Sequence, residues 1–277
     1  MRVEKRLTLI DNKRVLVRSW RLESPGKPRA LLLIVHGLGE HSGRYEKFAR
    51  DLLIKNGIDV YSFDLPGHGE SQGLRGYVSK LEDFFKIIHE LSKTFKFTKK
   101  KVIFGHSLGG LIATRYVQEY PEEFNGLILS SPALAFNIDE SIKNILSILK
   151  FLNLLLPWVT TKNRINPDLL SRNKEAVRKY IEDPLVHDRI SIRLFCEMVK
   201  NSEYAKRKIE NIKIPILLFG GTEDKIVPFN GVKLLFSKAS NSQITEFEGG
   251  YHELFEDPEH YGPLLETLSK WFEEKII

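Results

Sequence analysis

The sequence predicts an α/β fold: a mostly parallel central sheet flanked by helices, with a helical segment inserted between two strands. Three observations predict it. Short continuous apolar runs alternate with helical patterns through the first half of the chain, as in repeated strand–helix units whose sheet is buried on both faces. Between about Pro132 and Lys213 no strong strand signal occurs and helical segments take over, after which strands resume. The 277 residues, 42% of them apolar, suffice for one large domain with an insertion. The expected division is a core of 1–132 and 213–277 and a helical cap of 133–212, placed where open α/β sheets bind ligands.

Each element has its own signal. Arg6–Ile10 and Val15–Trp20 flank Asp11-Asn12-Lys13 and read as a hairpin. Ala30–Val35 is an unbroken apolar strand. Arg44–Lys55 shows helical spacing through Phe48, Leu52 and Leu53, and Asn56-Gly57 ends it. Ile58–Phe63 is a strand, and Leu81–Phe95 a helix with Phe84, Phe85, Ile88 and Leu91 inward. Val102–Phe104 is a strand, the next helix closes at Pro121, and Leu127–Leu129 is a strand again. After the insertion, Ile214–Phe219 and Ile244–Phe247 are strands, with a helix starting near Phe229 between them. Tyr261–Lys275 is the last helix.

Composition excludes several functions. One cysteine, Cys196, permits no internal disulfide and no cysteine-rich metal site. Its setting reads as a packed thiol on a helix face. The formal charge of +6 is scattered among acids, and the densest basic run, Lys99-Lys100-Lys101, falls at a helix–strand junction. This is a solvated loop, not a nucleic-acid footprint. Met1–Arg6 is charged and lacks the apolar core of a signal peptide, so a cytoplasmic protein is expected. Plentiful Lys, Glu and Ile with scarce Cys and Met fit a thermophile.

The most apolar segment, Ile142–Trp158, is interrupted by lysines and asparagines and stops at Pro157. That is short of the ~20 apolar residues a membrane span requires. Lys143, Asn144, Ser147, Lys150 and Asn153 leave one thin polar stripe on a largely apolar cylinder. A helix of the cap is expected here, lining a pocket with Ile145, Leu149, Leu152 and Trp158 and touching a membrane surface transiently with another face.

Ser107 is the chemical focus. Gly105-His106-Ser107-Leu108-Gly109 follows a strand and opens a helix, so G-x-S-x-G stands in the strand–turn–helix context that holds a serine above a sheet. Side chains at 105 or 109 would collide with strand and helix. A neutral serine needs a base, and the base an orienting acid. Of the eight histidines, His252 is best placed, after the last strand and before the final helix. Surface imidazoles are expected to account for most of the others, His36, His41, His68, His89, His106, His187 and His260. The loop after Ile214–Phe219 supplies Glu223 and Asp224, whose side chains point apart. Asp224, before the turn Lys225–Pro228, is assigned as the acid and Glu223 as a solvated neighbour. Backbone N–H groups of Leu108, at a helix start, and of Leu38, in His36-Gly37-Leu38-Gly39, are the expected oxyanion donors.

Taken together, these segments resemble the α/β-hydrolase fold, and within it the monoacylglycerol lipase and lysophospholipase family. The resemblance is carried by His36-Gly37-Leu38-Gly39-Glu40-His41-Ser42-Gly43-Arg44-Tyr45, Asp64-Leu65-Pro66-Gly67-His68-Gly69-Glu70-Ser71 and Gly105–Gly110. Asp183-Pro184-Leu185, Gly221–Val227 and Gly250-Tyr251-His252 extend it over nearly the whole chain. It implies hydrolysis of a single fatty acyl chain from glycerol or a lysophospholipid head, with a lipid ester as partner and neither metal nor cofactor. The same residues suit a carboxylesterase or thioesterase of shorter acyl groups, a peptidase, or acyl transfer to an acceptor other than water. A non-catalytic ligand-binding protein is the alternative from a different class.

Overall fold

Central strands buried on both faces divide the core into two layers. In the computed structural model, residues 1–23, 27–95, 100–135 and 140–277 are described, the side chains of 140–145 excepted. The chain begins with β1 (Arg2–Ile10) and β2 (Lys13–Arg21), joined by Asp11 and Asn12 at φ 48° and 60°. Two successive positive φ values match the twist of a two-residue hairpin, where Asp and Asn are tolerated. The hairpin is longer than its apolar residues suggest. Most of β1 is exposed, so its first residues show no buried face to read.

β3 (Leu31–Val35), α1 (Glu46–Asn56), β4 (Asp59–Phe63), α2 (Glu82–Thr94), β5 (Lys101–His106), α3 (Leu108–Glu119) and β6 (Gly126–Ser130) follow. Ser42–Tyr45 is a turn of 3₁₀ helix, so the helix expected from Arg44 starts two residues later. Gly57 caps α1 at φ 64° and donates to Leu53 O, 2.9 Å away. α4 (Glu140–Leu155), β7 (Thr160–Lys162), α5 (Lys174–Glu182), β8 (Arg189–Ser191) and α6 (Ile192–Arg207) form the intervening segment. The chain ends with β9 (Ile216–Gly221), α7 (Phe229–Phe236), β10 (Ser242–Phe247) and α8 (Pro258–Lys275).

The eight-stranded sheet has the order β1-β2-β4-β3-β5-β6-β9-β10. It is parallel from β4 to β10 and antiparallel at β1–β2 and β2–β4. Successive strand residues feed opposite layers. Leu31, Leu33 and Val35 join the layer containing α2, α3 and α7, while Leu32 and Ile34 join the one containing α1 and α8. The expected mostly parallel, two-sided α/β sheet is therefore present.

One expectation fails. The segment between β6 and β9 does contain strands: β7 and β8 pair antiparallel, Thr161 opposite Ile190. Thr-Thr-Lys and Arg-Ile-Ser are too short to show alternation, and they are far apart in sequence. Cys196 is half-buried on α6, and burial pushes its thiol up. It is packed, as expected. Among the described residues no helix is long and apolar enough to cross a membrane.

Candidate active site

Parallel pairing places the carboxyl ends of β3, β4, β5, β6, β9 and β10 along one edge. Loops leaving that edge build the site. Ser107 sits between β5 and α3 at φ 51° and ψ −117°, a strained conformation for a residue with a side chain. Backbone bonds tie it to the neighbouring strand and loop: Ser107 N donates to Ser130 O (3.0 Å), and Ala133 N donates to Ser107 O (2.9 Å), which also accepts from Gly110 N and Leu111 N of α3. The flanking glycines are sterically required. A Cβ at 109 would lie 2.0 Å from Val35 O, and one at 105 would lie 2.4 Å from Gly109 O. Leu108 is the first residue of α3, so its N–H belongs to the unsatisfied amino end of a helix.

Asp224 and His252 meet from different loops. His252 Nδ1 lies 2.7 Å from Asp224 Oδ2. The other carboxylate oxygen accepts from Ile226 N and Val227 N, both at 2.9 Å, which orients Asp224 toward the imidazole. Both side chains are buried, whereas Glu223 is exposed. Burial pushes the Asp224 carboxyl up, but His252 more than offsets this, and it stays below its ordinary value. Burial likewise disfavours the His252 cation, yet Asp224 more than compensates and the imidazole is raised above 6.5.

The loop after β3 is pinned on both sides of Leu38. Gly37 N donates to Glu40 Oε1 (2.6 Å), and Gly39 O accepts from His187 N of the intervening segment (2.8 Å). His36 accepts from Leu65 N at Nε2 and lies 2.8 Å from Gly37 O at Nδ1, so its partners define a neutral tautomer. Burial lowers its pKa. Asp64 accepts from Ser42 N and Glu70 N, and Ser71 Oγ donates to Asp64 O, so the Asp64–Ser71 motif braces loops.

Ser107, Leu38 and His252 line one small cavity, together with Gly37, Glu40, His106 and Glu253 from the sheet edge. Ile165, Leu170 and Tyr180 of the intervening segment complete it. Sequence reasoning missed these last three, and Leu149 and Leu152, which it named from α4, do not line this cavity. Leu149 and Leu152 are half-buried, and Leu149 lines a separate groove with Ile190, Ile192 and Phe195. Trp158 is 55% exposed and does not line the serine cavity. It follows Pro157 at the end of α4, outside the packed face. The side chain of Ile145 lies outside the described residues. Among the described residues no group of His, Cys, Asp and Glu is placed to hold a metal ion.

The expectation of surface imidazoles is also corrected. His36, His41, His68, His106 and His260 are buried, as is His252. Several pack against one another at a tilt near the sheet edge: His36 against His68, His68 against His187, and His106, at the end of β5, against His252 with centroids 4.7 Å apart. Burial holds His106 down at about 3.

Arg44, Glu40 and Glu253 form a buried cluster that local patterns gave no means of finding. Arg44 Nη1 donates to Glu40 Oε2 (2.8 Å) and Glu253 Oε1 (2.7 Å), and Nη2 donates to Glu253 Oε2 (2.7 Å). Glu40 is held at about 2. Its burial, which opposes ionisation, is outweighed by Arg44 and neighbouring imidazoles.

Comparison with known proteins identifies the family. The family model of serine aminopeptidase S33 matches residues 26–259. The chain is 31% identical to the monoglyceride lipase of Homo sapiens over 274 residues, covering 96% of this chain and 88% of that one. It is 30% identical to a phospholipase of Bacillus subtilis (strain 168) over 252 residues, covering 87% and 93%. The crystal structure of Paleococcus ferrophilus monoacylglycerol lipase superposes with a TM-score of 0.83 at 39% identity, covering 98% of each chain. This chain belongs to the serine aminopeptidase S33 family of α/β-hydrolases, on its monoacylglycerol lipase-like side, and is a carboxylic ester hydrolase.

Proposed function

We propose that the chain is a serine lipase of single-chain lipid esters, monoacylglycerols foremost, acting through an acyl-enzyme. One observation carries the reading. A strained Ser107 shares a cavity with His252, whose Nδ1 is bonded to the buried Asp224 and whose Nε2 is thereby left for the serine. His252 takes the Ser107 proton as Oγ attacks the ester carbonyl. The N–H groups of Leu38 and Leu108 receive the negative oxygen. The alcohol leaves with the proton from His252, and water, activated by the same imidazole, releases the fatty acid. Asp224 orients the ring and stabilises its charge.

The segment 133–212 acts as a cap. Ile165, Leu170 and Tyr180 give the reacting centre apolar walls suited to an acyl ester. Outside, Ile148, Phe151, Leu154 and Leu155 are exposed along α4, continuing into Leu156, Trp158 and Val159. This face is fitted to transient contact with a lipid surface. Similarity to a phospholipase favours lysophospholipids as the second substrate class.

The test is hydrolysis of monoacylglycerols against di- and triacylglycerols, lysophospholipids and short-chain esters, by the parent and Ser107→Ala. Monoacylglycerol turnover that disappears in Ser107→Ala, along with fluorophosphonate labelling, is the expected result. Unchanged turnover in that variant removes Ser107 from the mechanism. Preference for very short acyl groups overturns the lipid assignment.

A further inference from the structure

We infer that Arg44 is a positioning residue that fastens the oxyanion loop, the histidine loop and the cap to one another, so that the site is competent only when all three are docked. The inference rests on the acyl-transfer reading above. It concerns a residue that touches neither Ser107 nor the ester.

The geometry is that of a hub. The two-pronged contact to Glu253 grips the residue next to His252, and the shared Nη1 also grips Glu40. Glu40 passes the constraint on, since its other oxygen accepts from Gly37 N (2.6 Å) and Tyr45 OH (2.8 Å). Gly37 immediately precedes Leu38. A Cβ there would come within 3.2 Å of Ser107 Cβ, so this backbone runs directly over the nucleophile. The third direction is the cap. The Arg44 guanidinium lies 4.8 Å from the centroid of the Tyr180 ring, and Glu253 N donates to Leu170 O (2.7 Å). Tyr180 and Leu170 both line the serine cavity. Arg44, Glu40 and Glu253 side chains are 8%, 3% and 3% exposed, so water does not compete for these bonds and the planar fork is held in one orientation.

The cluster also acts on charge. Glu40 and Glu253 against one Arg44 leave an excess negative charge close to His252. The charged groups that act most on that ring are Asp224, Glu253 and Glu40, with the His106 ring tilted against it and Arg44 beyond the carboxylates. Glu253 and Glu40 therefore favour the imidazolium that forms as Ser107 attacks. A purely structural ion pair has no such effect on the pH profile.

The test uses pre-steady-state release of p-nitrophenol from a soluble p-nitrophenyl ester by the full chain. Arg44→Lys keeps the charge and loses the fork. Its acylation rate constant is expected to fall about 10- to 100-fold, with KM within about threefold. Arg115→Lys is the control. Arg115 is equally buried and bonded to Asn201 between α3 and α6, away from the serine cavity. That variant is expected to lower Tm without changing acylation. Glu253→Gln tests the charge argument: the acid limb of the acylation profile should move to lower pH, by about half a unit.

Arg44→Lys with parent-like acylation overturns the inference. So does an equal acylation loss in Arg115→Lys at a comparable drop in Tm. If Arg44→Lys does not fold, Glu253→Gln decides, and an unmoved acid limb overturns the inference. A parent enzyme that shows no burst overturns the acyl-transfer reading itself, a different result from a bursting parent with an indifferent Arg44.

Discussion

His252 illustrates how opposing forces set a single residue's chemistry. Burial alone would make the imidazole a weak base, as it does at His106, which is held at about 3. The two rings are in contact, tilted at 56°, but only His252 is hydrogen-bonded to a carboxylate. Asp224 raises it above 6.5. A general base must be neutral to accept the serine proton, so kcat/KM is expected to fall as pH drops through an inflection above 6.5. Asp224→Asn removes the group that raises the pKa and leaves burial, which lowers it. The inflection should then move to lower pH, and kcat should drop roughly 10⁴-fold because the ring loses its orienting partner. A pH–rate profile of both proteins checks this. An acid limb in Asp224→Asn at the parent's position would assign that limb to another group. Ser107, Asp224 and His252 were legible because each stands in a loop between a strand and a helix, and Gly105 and Gly109 mark the tight turn. Arg44 was not. Its partners Glu40 and Glu253 are separated by more than 200 residues, and only packing shows that Glu253 is buried rather than solvated.

At the scale of the element, legibility followed the length of the repeating pattern. β3, with five consecutive buried residues, and α2, with Phe84, Phe85, Ile88 and Leu91 inward, needed no tertiary information. β7 and β8 were invisible because three residues cannot establish a period. Helix α4 was recognised as a helix, but its polar stripe did not show which apolar side packs. Leu149 and Leu152 turn inward, while Ile148, Phe151, Leu154 and Leu155 face solvent. The end of α1 was read correctly from Asn56-Gly57, and it offers a clean energetic test. Gly57 has φ 64°, and a Cβ there would meet nothing nearer than Arg29 Cδ at 3.4 Å. The cost of Gly57→Ala is therefore conformational rather than steric. We expect a loss of about 1 kcal/mol in unfolding free energy with kcat unchanged, because only the left-handed backbone is penalised. Urea denaturation measures it. A loss several times larger would mean that the backbone shifts and strains the contact with Arg29.

On the scale of the whole molecule, the exposed apolar face of α4 is the surface that burial in the core does not explain. Phe151 is 60% and Leu154 75% exposed, and the same face runs on to Trp158. Between Glu140 and Asp168 the chain carries lysines and an arginine but no acid, so a negatively charged lipid surface gains from both terms while a neutral one gains from the apolar term alone. The other two tryptophans, Trp20 and Trp271, are almost wholly buried, which makes Trp158 a built-in reporter of its surroundings. Adding vesicles to Ser107→Ala should shift tryptophan emission to shorter wavelength, with tighter partition into vesicles containing anionic lipid and weaker partition at high salt. Replacing Phe151 and Leu154 by serine together removes apolar area worth about 3 kcal/mol, so partition should weaken by roughly two orders of magnitude. Hydrolysis of vesicle-borne monoacylglycerol should fall much further in that variant than hydrolysis of a dissolved ester. Equal losses on both substrates would instead place these side chains in the packing of the cap and leave the lipid-surface role without support.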